Sequence, residues 1–126
     1  GKGNLWYSTN LDLQNPLYNF LCFKVGKLFP NSIQILRMYI NVQYCFMDGD
    51  FHTDDGDNTV ILMVSPTLKK DSGQFKIKEN NKNLKKINFI QNRLIKFPSS
   101  WNHKGCAPIE KNTPRITLVW KTKGHN

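Results

Sequence analysis

Cysteine is scarce in this chain: Cys22, Cys45 and Cys106 are odd in number and share no metal-type spacing. That argues against a disulfide scaffold or a zinc ribbon and for buried, reduced thiols in a cytoplasmic protein. Long apolar runs are missing too. No stretch approaches the roughly 20 residues that a membrane-spanning helix needs, and no signal peptide opens the chain. The sequence starts Gly1-Lys2-Gly3 without a methionine, as a fragment would. Acidic residues are few, nine against 18 lysines and arginines, for a formal charge of +9. Arginine is rarer still, at Arg37, Arg93 and Arg115 only. The excess charge invites a nucleic-acid reading. It is discounted here, because lysine, asparagine and isoleucine all have AT-rich codons and genome bias explains much of their abundance. Lys69-Lys70 and the segment from Lys76 to Lys86 read as solvated strand and turn faces. Nucleic acid is therefore a possible partner and not the favoured one, no membrane partner is expected, and the oligomeric state is left open.

What is present fits one β-rich domain over residues 1–126, with a single core. Trp6, Tyr7, Leu11 and Leu13 are placed to cap its edge. Asn15-Pro16 is a helix start, Asn15 as cap and Pro16 at the first helical position. Leu17, Phe20, Leu21, Val25 and Leu28 follow near a 3.6-residue period. This predicts an N-terminal helix over about 16–28, packed outside a sheet. From Ser32 the period becomes two. Leu36, Met38, Ile40, Val42 and Tyr44 share one face, with Ile33, Ile35, Arg37, Tyr39, Asn41 and Gln43 on the other. Further strands are expected over Thr59 to Ser65, Phe75 to Lys78, Leu84 to Ile90, Arg93 to Pro98 and Pro114 to Lys121, giving a β core of about 32–121. Short strands joined by turns, with one helix outside, fit a double-stranded β-helix of the jelly-roll or cupin kind.

The chemistry concentrates in Asp50-Phe51-His52-Thr53-Asp54-Asp55-Gly56-Asp57. His52 and Asp54, two apart, point to one face of an extended segment. His103 would complete two imidazoles and one carboxylate, a set that leaves positions open on a metal and is diagnostic of non-haem Fe(II) oxygenases. Five of the nine acids fall between Asp48 and Asp57. A calcium loop starting at Asp48 fails, since Thr53 and Thr59 stand where glycine and glutamate are required. The surplus aspartates read as turn residues, with Asp55 or Asp57 as the alternative ligand to Asp54. Arg115 and Thr117 share a face of the last strand, where a guanidinium fork and a hydroxyl can take a carboxylate. Trp120, on the opposite side, reads as core.

The pattern His52-x-Asp54, then His103, then Arg115, resembles the 2-oxoglutarate and Fe(II)-dependent oxygenases. It is most similar to their small prolyl-4-hydroxylase-like members, over residues 33–121. Asp71-Ser72-Gly73-Gln74-Phe75 partly resembles that family's small-residue turn. The resemblance implies Fe(II) held by His52, Asp54 and His103, and the far carboxylate of 2-oxoglutarate held by Arg115 with Thr117. It also makes Asn41 and Tyr39 candidates for contact with the co-substrate, with ordinary strand polar groups as the other reading of that pair. The implied activity is hydroxylation of a peptidyl, prolyl-type or small-molecule substrate, with release of succinate and carbon dioxide. Aspartate at position 54, rather than a small residue, implies hydroxylation instead of halogenation. The alternatives are an oxidative nucleic-acid demethylase on the same scaffold and a non-catalytic, cupin-like metal-binding module. Against the demethylase, Ile109 occupies one of the two expected arginine positions. The loop from Leu68 to Ser72 and the N-terminal helix are expected to shape the entrance.

Overall fold

A computed structural model describes residues 7–10 and 16–124. Trp6, Leu11, Leu13, Asn15 and His125, and with them the proposed helix cap, lie outside the described residues. The elements are β1 (Tyr7–Asn10), α1 (Pro16–Gly26), β2 (Gln34–Gln43), β3 (Asn58–Met63), β4 (Phe75–Glu79), β5 (Asn83–Ile87), β6 (Leu94–Pro98), β7 (His103–Gly105) and β8 (Arg115–Lys123). They form a mainly β structure of two antiparallel sheets, one ordered β1-β2-β8-β3-β6 and the other β5-β4-β7. Strand pairing extends beyond 32–121 at both ends, because β1 pairs with β2 ahead of the helix and β8 runs on to Lys123. The helix stops at Gly26, and Leu28 and Phe29 continue it only as turns, with their N–H groups donating to Val25 and Gly26.

The large sheet is covered on both faces. On its inner side Ile61, Met63 and Val119 meet Phe75 and Ile77 of the small sheet, with Leu68, Phe89 and Phe97 completing the core. On its outer side Met38, Val60 and Trp120 lie under Tyr18, Val25 and Phe29. Trp120 is 1% exposed, the core position expected of it. Strand periodicity sorts β8 cleanly: Arg115, Thr117, Val119 and Lys121 turn inward, while Leu118 and Trp120 turn to the helix side.

Four sequence expectations are corrected here. Leu17 and Phe20 are each 56% exposed, and the helix instead buries Tyr18 and Val25, with Leu21 and Cys22 partly covered. Aromatic and apolar residues surround this helix, so no single stripe defines its phase. The helix also lies against the outer face of the large sheet, and neither it nor Leu68 to Ser72 lines the cavity described below. In β2 the two-residue period breaks at a bulge: Ile35 pairs with Thr122 and Arg37 with Lys121, leaving Leu36 extra. Ile33 and Ile35 therefore pack with Met38, not with Tyr39. The three cysteines are unpaired and half-buried rather than buried. Among the described residues, no helix is long and apolar enough to cross a membrane.

Candidate active site

The site is assembled by backbone pairing before any side chain is considered. His52 and His103 exchange both main-chain hydrogen bonds, each 3.0 Å, in an isolated antiparallel bridge at the start of β7. Asp54 N–H donates to Ser99 O at 2.9 Å. These contacts bring residues 51 positions apart in sequence onto one face. His52 Nε2 lies 3.6 Å from Asp54 Oδ1, and His103 Nε2 lies 3.0 Å from Asp54 Oδ2. The three potential ligand atoms fall within 4.8 Å of one another. No comparable group of three His, Cys, Asp or Glu residues occurs elsewhere among the described residues.

The outward nitrogens fix the tautomers. His52 Nδ1 is 2.8 Å from Asp50 O, and His103 Nδ1 is 2.8 Å from Trp101 O. A carbonyl oxygen only accepts, so each Nδ1 carries hydrogen and each Nε2 is directed to the shared point. His103 Nε2 and Asp54 Oδ2, both intrinsically acceptors in that arrangement, need a cation between them, either a proton or a metal ion. The donor set thus fits a divalent metal, with main-chain carbonyls orienting both rings.

Asp54 is almost entirely enclosed, its side chain 4% exposed. Thr59 Oγ1 donates to its Oδ2 at 2.8 Å, and Lys121 Nζ lies 2.5 Å from its Oδ1. Burial alone would raise its pKa. The hydrogen bond and charge of His103, followed by those of Lys121, outweigh burial and hold the carboxyl well below the usual range. The other aspartates have different employment. Asp55 pairs with Arg37 at 2.8 Å, Asp57 accepts the Gly124 N–H, and Asp48 accepts the Ala107 N–H. Only Asp54 of this acidic cluster joins the two histidines.

A cavity of about 210 Å³ opens beside the trio, between the sheets. Tyr39, Asn41 and Gln43 of β2 line it together with Arg115, Thr117, Val119 and Lys121 of β8. Arg115 is 3% exposed and so lies inside the fold, not at its surface. Its Nε donates to Gly73 O at 2.8 Å and its Nη1 to Gln43 Oε1 at 2.9 Å, while the ring of Phe89 lies 5.1 Å from its Cζ. Its Nη2 is buried and has no hydrogen-bond partner among the described residues. Burial lowers its pKa from the ordinary guanidinium value to about 10, which leaves it charged at neutral pH. A buried guanidinium with an unmatched donor can accept an anion, and a carboxylate suits its geometry. Asn41 Oδ1 is likewise buried and unmatched. Burial first, and then the charge of Asp54, raise the Tyr39 phenol above its usual pKa, so it stays protonated.

Gly105 and Gly73 make room for this arginine. A Cβ at Gly105 would stand 3.0 Å from Arg115 Nη1 and 3.1 Å from Gln43 Oε1. Gly73, whose carbonyl takes the Nε hydrogen, has a φ of +62°. Lys121, Gln43 and Thr59 were not singled out from sequence as site residues. The available signal was strand parity: Gln43 falls on the face of Tyr39 and Asn41, and Lys121 on the face of Arg115 and Thr117.

Comparison with solved structures places this fold among known ones. A 2OG-Fe(II) oxygenase family oxidoreductase from Burkholderia pseudomallei superposes with a TM-score of 0.76 at 16% identity, over 96% of this chain and 69% of that one. A prolyl hydroxylase from Trichoplax adhaerens, solved with a hypoxia inducible factor peptide fragment, gives 0.72 at 17% identity, over 94% and 63%. A cupin protein from Bacteroides fragilis gives 0.51 at 11% identity, over 78% and 86%. The chain therefore shares the fold of 2OG-Fe(II) oxygenases and prolyl hydroxylases, and it spans about two thirds of the length of the first two structures. No family model matches the sequence, and no match is found among curated proteins.

Proposed function

We propose that this chain is a non-haem Fe(II) and 2-oxoglutarate-dependent dioxygenase, a hydroxylase, built as a single double-stranded β-helix domain of jelly-roll type over residues 1–126. The observation that carries the reading is one juxtaposition. Two Nε2 atoms and one carboxylate converge beside a cavity that also holds a buried arginine with an unmatched donor. In this reading His52, Asp54 and His103 would hold Fe(II), a ligand set that leaves the metal free to take co-substrate and oxygen. Arg115 holds the far carboxylate of 2-oxoglutarate, with Thr117, Asn41 and Tyr39 as its other neighbours. When bound, the metal and co-substrate supply the oxidation: 2-oxoglutarate and oxygen become succinate and carbon dioxide, and one oxygen atom enters the substrate.

The protein's own contribution is positional. The Asp50 and Trp101 carbonyls aim the two imidazoles, Thr59 and Lys121 fix the Asp54 carboxylate, and Gln43 and Gly73 fix the guanidinium. Asp54 would give the metal a charged ligand where a small residue would leave room for halide, which favours hydroxylation over halide transfer. A peptidyl, prolyl-type substrate is the preferred class, supported by the peptide bound to the Trichoplax prolyl hydroxylase of similar fold. The test is succinate formation from 2-oxoglutarate by the purified chain with Fe(II), with and without proline-containing peptides. Peptide-stimulated succinate is the expected result. Stimulation by methylated oligonucleotides instead would move the reading to a demethylase, and no turnover with a bound metal would reduce it to a cupin-like module.

A further inference from the structure

The outer face of the small sheet carries a feature that the oxygenase chemistry does not use. The β4–β5 register sets Lys76 opposite Lys86, and the β4–β7 register sets Lys76 opposite Lys104. Alternation along the strands puts these three side chains on the face turned away from Phe75, Ile77 and the core. Lys78 follows two residues along β4 on the same face. The next backbone beyond β7 is the His52–His103 bridge, so Phe51 stands opposite Lys104. Its ring lies 5.1 Å from Lys104 Nζ and 4.4 Å from Lys78 Nζ. A row of positive charge thus crosses the sheet at its interstrand spacing of about 4.8 Å and ends at the residue next to His52.

Like charges directly opposite one another destabilise a sheet. Among the described residues, Glu79 neutralises Lys85 and Asp54 neutralises Lys121, while Lys76, Lys78, Lys86 and Lys104 form no ion pair with a carboxylate. An uncompensated row that weakens its own sheet is explained by a partner that supplies the missing charge.

We infer that this face docks an acidic, extended polypeptide segment. The details favour carboxylates over a nucleic-acid strand. The row contains no arginine to fork a phosphate: Arg37 pairs with Asp55, Arg93 donates to Asn88 O, and Arg115 is buried in the cavity. Its one aromatic, Phe51, already has two ammonium groups against it and offers no free stacking platform. Lysines at strand pitch suit side-chain carboxylates taken one at a time. Since the row ends beside His52, the segment is assigned as a flank of the substrate polypeptide. That last assignment rests on the proposed hydroxylase reading; the docking itself does not.

The experiment separates the two. Binding of a fluorescein-labelled peptide, with alternating glutamate and serine around one proline, is measured by anisotropy on the full chain without metal or co-substrate. The same peptide with glutamine for glutamate, and single-stranded oligothymidylate, are run beside it. The glutamate peptide should bind, weaken as salt rises, and exceed both others. With three exposed charge pairs removed in the Lys76→Gln/Lys86→Gln/Lys104→Gln variant, its affinity should fall about tenfold. Lys69→Gln/Lys70→Gln should leave it unchanged, and circular dichroism of both variants should match the parent. Equal binding of the glutamine peptide, tighter binding of the oligonucleotide, or full affinity in the folded triple variant would overturn the inference. Acidic-peptide binding without any 2-oxoglutarate turnover would retain the docking face and sink only the hydroxylase reading.

Discussion

Replacing Arg115 tests the proposed co-substrate site most sharply, because the structure apportions its donors. Nε and Nη1 are committed to Gly73 O and Gln43 Oε1, and Nη2 is unmatched. A dicarboxylate bound there would gain the Nη2 donor and the full charge of a group that is 3% exposed. Truncating one partner of such a buried pair costs about 2–5 kcal/mol, roughly 30-fold to several thousand-fold in affinity. Arg115→Ala should therefore raise the 2-oxoglutarate concentration for half-maximal succinate formation by at least about 30-fold. It also strands the Gly73 and Gln43 acceptors, at about 1–3 kcal/mol each, so a lowered Tm must accompany it. Arg115→Lys should recover part of the binding, since an ammonium keeps the charge without the fork. The assay pairs 2-oxoglutarate titration with Mn(II) affinity measured on the same variants. Metal affinity should stay near that of the parent. An unchanged 2-oxoglutarate requirement in folded Arg115→Ala, or equal losses of metal and co-substrate binding, would refute the assignment.

His52→Ala and His103→Ala should each cut divalent-metal affinity severely, read by Mn(II) or Co(II) titration, because three ligands become two. Asp54→Ala should abolish hydroxylation while Asp57→Ala largely keeps it, and the opposite ranking in a substrate assay would relocate the carboxylate ligand. Gly105→Ala should raise the 2-oxoglutarate requirement with metal affinity retained, since the added Cβ would meet Arg115 Nη1 at 3.0 Å. Asp54 has a folded-state pKa below the ordinary 3.8, so its contribution to stability is complete above that value and is lost only as pH falls well below it. Denaturant titrations of the parent and Asp54→Asn across the acid range should show a shallower acid loss in the variant.

The candidate site was legible because its chemistry uses rare residues. With three histidines and three arginines in 126 residues, a His-x-Asp pair, a second histidine and a later arginine leave few other combinations. Strand alternation also placed Arg115 and Thr117 on one face and Trp120 on the other. What escaped was set by distant pairing. Gln43 reaches Arg115 across 72 positions and Gly73 reaches it across 42, and no local period encodes either contact. The partnership of Lys121 with Asp54 depends on how β8 sits beside β3, whose Thr59 pairs with Lys121. The phase of α1 failed for a different reason: Phe20 and Phe23 are more than half exposed, so hydrophobicity did not mark the covered face. The bulge at Leu36 had no signature, there being no glycine or proline to announce it.

The anchoring of both imidazoles by main-chain carbonyls has a consequence for how this centre tolerates change. A ligating imidazole is oriented by a carboxylate, a main-chain carbonyl or a water, and where the acceptor is a side chain a single point mutation can erase it. Here the acceptors belong to the peptide groups of Asp50 and Trp101, which every amino acid carries. Drift at positions 50 and 101 can alter packing and charge without deleting either acceptor. A library randomised at those two codons should retain metal binding in most folded members. The vulnerable information lies instead in chain geometry, where one inserted or deleted residue between 50 and 52, or between 101 and 103, would turn a ring away.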